Sequence, residues 1–95
     1  MANQDYEAML VYSLKNEETL GALKERFIAL IEQNGTLTET KEWGKRMLKY
    51  PIQKETDGYY ALYLFSAPPE FPAEFNRIAG ITDGVLRCLV TRQAS

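Results

Sequence analysis

Ninety-five residues, 45% hydrophobic and 25% charged, are enough for one domain with one small core, and they exclude a disordered tail. The net charge of -2 argues against gripping nucleic acid by bulk positive charge, and the absence of histidine removes the commonest general base and metal ligand. The one cysteine, Cys88, excludes an internal disulfide and a cysteine-built zinc site; among Leu86, Leu89 and Val90 it is expected to be a buried, inert thiol in a reducing compartment.

The chain opens on Met1-Ala2-Asn3-Gln4-Asp5, which has neither a basic nor an apolar leader. No apolar run reaches membrane-spanning length, so a cytoplasmic location is expected. Tyr6 to Tyr12 reads as a strand, with Tyr6, Ala8, Leu10 and Tyr12 on one side and Glu7, Met9 and Val11 on the other. Both sides are partly apolar, which suits a central strand. Asn16 is placed to cap a helix whose first turn carries Glu17 and Glu18, where the helix dipole favours them. Leu20, Leu23, Phe27, Leu30 and Ile31 form its apolar stripe. Asn34-Gly35 ends it, with the glycine expected to take a left-handed cap.

Thr36 to Ile52 is a long extended segment, polar for a strand and therefore expected at an edge. Gly44 predicts a bulge within it, and Pro51, which cannot donate to a ladder, fits an edge. Over residues 41–54, Lys41, Lys45, Arg46, Lys49 and Lys54 gather against Glu42 alone, so positive charge is local in a chain that is acidic overall. Thr56-Asp57-Gly58 predicts the hairpin turn. Tyr59 to Ser66 is the partner strand, apolar on both sides and so central. Pro68-Pro69-Glu70 starts a second helix near Glu70 or Phe71, since Pro72 is tolerated only in a first turn. Phe71, Phe75 and Ile78 point inward, and Ala79-Gly80 ends the helix. Asp83-Gly84 is a turn. Val85 to Arg92 is the last strand, with Leu86, Cys88 and Val90 on one side and Val85, Arg87, Leu89 and Thr91 on the other.

The order βαββαβ over residues 1–95 predicts an α+β, ferredoxin-like domain. In it, two right-handed crossovers make a four-stranded antiparallel sheet with both helices on one face. The other face stays open for a partner. Catalysis is not expected. Glu17 with Glu18 is helix-start charge, Glu70 with Glu74 is a solvated helix face, and no Gly-rich phosphate loop exists. Small hydrolases of this fold use an arginine and an asparagine, for which Arg46 and Asn76 are available without a diagnostic spacing. The six tyrosines could stack on RNA bases, but the aromatic-glycine octet of single-stranded RNA readers is absent from Gly58 to Phe65, so packing is the expected role for most. Edge lysines also have a plain purpose, keeping sheets from pairing edge to edge. No metal, cofactor, membrane or small-molecule substrate is expected.

Gly44-Lys45-Arg46-Met47-Leu48-Lys49-Tyr50-Pro51-Ile52, then Lys54 and Gly58-Tyr59-Tyr60, resembles the bacterial small-subunit ribosomal protein S-six family. Tyr6-Glu7 before an apolar strand, and Asp83 followed by Val85-Leu86-Arg87 and an apolar run ending at Arg92, match the same family in the same order. The resemblance implies a structural role in the small ribosomal subunit, binding the central domain of its rRNA together with the small basic protein S-eighteen. Carried onto matching positions, it makes Tyr6, Arg46, Arg87 and Arg92 candidates for RNA contact, beside the basic residues Lys45, Lys49 and Lys54. It assigns the partner to the apolar sheet side and the long second strand. Asp5 stands where members often carry a basic residue, so no RNA contact is expected at the extreme N-terminus. The charged C-terminal extension of many members has no counterpart here, and no tail function is expected. A ferredoxin-like module that associates with itself through its open sheet or edge is the alternative reading.

Overall fold

The computed structural model describes residues 3–15, 17–52 and 54–93. β1 (Gln4–Tyr12), α1 (Glu17–Asn34), β2 (Thr36–Ile52), β3 (Glu55–Ala67), α2 (Phe71–Gly80) and β4 (Val85–Arg92) follow the expected order. The strands form one antiparallel sheet in the order β2-β3-β1-β4. β1 and β3, apolar on both sides in sequence, are the central pair, and β2 is an edge. The result is the ferredoxin-like arrangement with both helices on one face.

The core follows from two periodicities. Every second residue of a strand shares a face, so Tyr6, Ala8, Leu10 and Tyr12 of β1 line up beside Ala61, Tyr63, Phe65 and Ala67 of β3. Large faces small across the ladder, as in Ala8 against Tyr63 and Leu10 against Ala61. Leu20, Leu23, Phe27 and Ile31 of α1 and Phe71, Phe75 and Ala79 of α2 pack onto this surface at helical spacing. The aromatic rings interlock edge to face: Phe27 and Phe75 have centroids 5.5 Å apart, and Phe65 and Phe71 5.7 Å. Beneath α1 the hydroxyls of Tyr12 and Tyr63 share a hydrogen bond of 2.8 Å. This satisfies two polar groups that would otherwise be buried without partners. Burial, with Tyr63 alongside, drives the Tyr12 phenol far above its ordinary range.

Three local readings are corrected. Gly35 is not left-handed, since among the described residues positive φ is confined to Lys54, Gly44 and Gly84. Glycine is needed there because a Cβ would collide with the Ser66 carbonyl of β3. The hairpin does not turn at Asp57-Gly58. Ile52 pairs with Glu55, and Lys54, at φ 66°, lies in the turn between them. Gly58 instead sits inside β3, where a Cβ would come within 2.5 Å of Val11 Cγ1. In β4 a bulge between Val11 and Tyr12 sets Val85 opposite Tyr12 and against the core, and Leu86 leaves that side. In α2 Ile78 packs against the core as expected, half-buried, and its neighbour Ala79 is buried with it. The expected cap at Asn16 lies outside the described residues.

Candidate functional site

β2 and β3 outrun the rest of the sheet. β1 ends at Tyr12, opposite Tyr59, while β2 and β3 continue to pair as Arg46 with Gly58, Met47 with Asp57 and Ile52 with Glu55. This two-stranded arm carries Met47 and Tyr50 at 82% and 72% exposure, with Trp43 at 43% at its root. Gly44, at φ 76°, makes the predicted bulge where the arm leaves the sheet. Leu48 is buried on the arm; it and Val11 both lie over Gly58, at the end of the open face.

The predicted basic residues fall into three places. Lys45, Arg46, Lys49 and Lys54 ride on the arm and are exposed. The Lys45 ammonium is 3.6 Å from Asp57, Arg46 lies 5.8 Å from the Trp43 ring centroid and Lys49 5.7 Å from that of Tyr50. Arg87 projects from β4 on the open face. Its row across the sheet runs Gly44, Tyr60, Val11, Arg87, so Arg46, two residues beyond Gly44, and Arg87 flank the same end of that face about 15 Å apart at three strand spacings. Arg92 is at the other end of β4, opposite Tyr6, and hydrogen-bonds the Gln4 side chain. The side chain of Tyr6 is on the helix-covered face, 8% exposed, with its ring 5.8 Å from that of Phe65. Its ring faces are taken up by the core and are not free to stack on a base.

Between Arg87 and Tyr60 the open face dips into a depression of about 250 Å³ lined by Met9, Val11, Tyr60, Arg87 and Leu89. Sequence alternation already puts Met9, Val11, Tyr60 and Leu89 on the uncovered side. It does not give the register that brings the three strands' residues into one row. The Trp43–Arg46 contact is not legible either: the bulge at Gly44 is, but not how it sets the two side chains beside each other.

Nothing in this arrangement is reactive. Among the described residues no group of three metal-ligating side chains comes together. Burial pushes the Cys88 thiol up to about 11, which keeps it protonated and unreactive at neutral pH. Glu74 is paired with Arg77. Arg46 and Asn76 do not converge, since one is on the arm of edge strand β2 and the other on α2, beside the opposite edge strand β4. No described helix is long and apolar enough to cross a membrane.

Residues 5–92 match the family model described as ribosomal protein S6. A small ribosomal subunit protein bS6 from Caldanaerobacter subterraneus subsp. tengcongensis is 50% identical over 91 residues, covering 94% of this chain and 96% of the relative. One from Clostridium perfringens is 43% identical over 90 residues, covering 93% and 95%. The crystal structure of 30S ribosomal protein S6 from Thermotoga maritima superposes with a TM-score of 0.88 at 24% identity, over 96% of this chain and 88% of that one. The C-terminal domain of Mycobacterium tuberculosis MgtC shares the fold alone, at a TM-score of 0.58 and 12% identity. The chain therefore belongs to the ribosomal protein S6 family, whose members are structural, non-enzymatic constituents of the cytoplasmic small ribosomal subunit.

Proposed function

We propose that the chain binds the central domain of small-subunit rRNA jointly with the basic protein S-eighteen. The observation that carries this reading is the meeting of two surfaces at one end of the open face: exposed cations on the arm and at Arg87, and an apolar depression next to them. Lys45, Arg46, Lys49, Lys54 and Arg87 contact phosphates, with Arg92 a further contact at the far end. Such contacts fix the position of the RNA and contribute little base discrimination. The depression lined by Met9, Val11, Tyr60 and Leu89 takes the protein partner, whose basic character supplies charge that a chain of net -2 lacks. Tyr6 is left out of the contact set because it is buried.

The test is assembly on a central-domain rRNA fragment with the basic partner present. Arg46→Ala with Arg87→Ala weakens assembly and lowers the salt dependence by about one unit of log-log slope per lost phosphate contact. Unchanged assembly refutes the contact set. A chain that dimerises and ignores both RNA and partner supports the self-associating alternative.

A further inference from the structure

The two edges of the sheet are protected unequally. β2 is broken by register shifts between Leu37 and Glu39, between Glu42 and Gly44 and between Met47 and Ile52. It also carries Pro51 and the lysines Lys41, Lys45 and Lys49, all features that discourage an added strand. β4 from Arg87 to Arg92 runs against β1 without a shift and has no proline, glycine or lysine. The Gln93 amide donates to the Asp5 carbonyl at 2.9 Å. With Tyr6 opposite Arg92, antiparallel alternation makes Glu7–Thr91, Met9–Leu89 and Val11–Arg87 the mutually bonded pairs. The amides and carbonyls of Cys88, Val90 and Arg92 therefore point away from the sheet, and β4 has no second neighbour among the described residues.

The flanks of this edge are shaped as well. On the helix side, half-buried Cys88 borders a groove of about 210 Å³ against α2, floored by Ala79 and Gly80. A Cβ built on Gly80 meets nothing within 4 Å, so the groove has room for a small side chain. On the open side stand Arg87 and Leu89, the latter 53% exposed. From Val85 to Gln93 there is no carboxylate.

We propose that the β4 edge receives an extended segment of a partner protein as a fifth strand, with small residues over the groove lined by Asn76, Ala79 and Gly80 and carboxylates beside Arg87 at alternate positions. Main-chain bonds to Cys88, Val90 and Arg92 hold it, and the alternation gives specificity. Charge selects the occupant: a strand of two arginines and no acid repels a basic segment and attracts an acidic one. RNA satisfies the arginines but leaves the row of outward amides without a ladder. At Arg87 and Arg92 this occupant competes with the phosphate contacts proposed above, so strand and RNA exclude each other along β4, while the cations of the arm stay free for RNA.

Amide hydrogen exchange by NMR on the full chain tests this, with the synthetic peptide acetyl-Glu-Val-Glu-Ala-Glu-Val-amide as the probe. In the free chain the Cys88, Val90 and Arg92 amides exchange fast and those of Leu89 and Thr91 slowly. Millimolar peptide slows the first three by about tenfold or more and leaves β2 unchanged. Arg87→Glu abolishes the effect, and the same variant responds to a peptide with lysine in place of glutamate. Five results overturn the inference: no amide slows; the β2 amides slow instead; a peptide N-methylated at its edge-facing amides acts equally well; single-stranded RNA slows the same three amides; or they slow with protein concentration alone, which assigns the edge to a second copy.

Discussion

The body of the sheet and the arm that leaves it are made of the same two strands, yet they obey different rules. Inside the body, β3 presents Ala61, Tyr63 and Phe65, all at 0% exposure, and each is fixed by a partner across the ladder and a helix above. On the arm, β2 presents Lys45, Arg46, Met47, Lys49 and Tyr50 to solvent, and only Leu48 is tied down. Folding dictates the residues of the body. It leaves those of the arm nearly free, so their basic and aromatic character reflects what the arm meets.

The contrast breaks most visibly at the core. Phe75→Ala, on the buried face of α2 against Phe27 of α1, is expected to cost about 3–5 kcal/mol by denaturant unfolding, whereas Met47→Ala on the arm stays within about 0.5 kcal/mol. Comparable losses would erase the distinction. Next comes the buried hydroxyl pair. Tyr63→Phe leaves the Tyr12 hydroxyl without its partner and costs about 1–3 kcal/mol. The double change Tyr12→Phe with Tyr63→Phe recovers much of it, and a double-mutant cycle reads the coupling. At the joint, Gly44→Ala places a Cβ at φ 76° in open space, so the penalty is backbone strain alone, about 1 kcal/mol. Exchange of the arm amides should rise more than that of β1.

The smallest effect concerns the seam between α1 and β2. Lys24 donates to Glu42 at 2.6 Å, and the Tyr59 hydroxyl donates to the same oxygen at 2.9 Å. The Lys24 hydrogen bond, then that of Tyr59, holds the Glu42 carboxyl below its usual range, and the bond to Glu42 holds the Lys24 ammonium above its own. A lowered carboxyl stabilises the fold above its unfolded pKa and loses that contribution as pH falls through the folded one. A raised lysine stabilises below its unfolded pKa and loses it as pH rises through the folded one. Glu42→Gln should therefore flatten the stability profile at both extremes. The side chains are 27% and 44% exposed, so the loss at neutral pH stays under about 1 kcal/mol.

Much of this was readable in advance. Two-sided apolar strands announced β1 and β3 as central, and Gly44 and Pro51 marked β2 as a bulged edge running from Thr36 to Ile52, as found. The glycines are where sequence misleads. Enrichment of glycine in caps and turns points to Gly35 and Gly58 as such, but each is demanded by a neighbour distant in sequence, Ser66 and Val11. For Tyr6, alternation with Ala8, Leu10 and Tyr12 already gives the covered side on which it lies. The basic residues of the arm could be named from sequence. Their distance from Arg87 could not, because strand order sets it.

The chain's single tryptophan stands at the root of the arm. Tyr12 and Tyr63 lie in the core at 0% exposure, against 43% for Trp43. The protein therefore carries two separate optical reporters. Indole emission follows what happens at the projecting hairpin and is nearly blind to loosening beneath the helices, while in a Tyr50→Phe, Tyr60→Phe background, which removes the tyrosines of the arm and the open face, near-ultraviolet tyrosine signals follow the interior. A titration that shifts one and not the other distinguishes docking from melting without any added label.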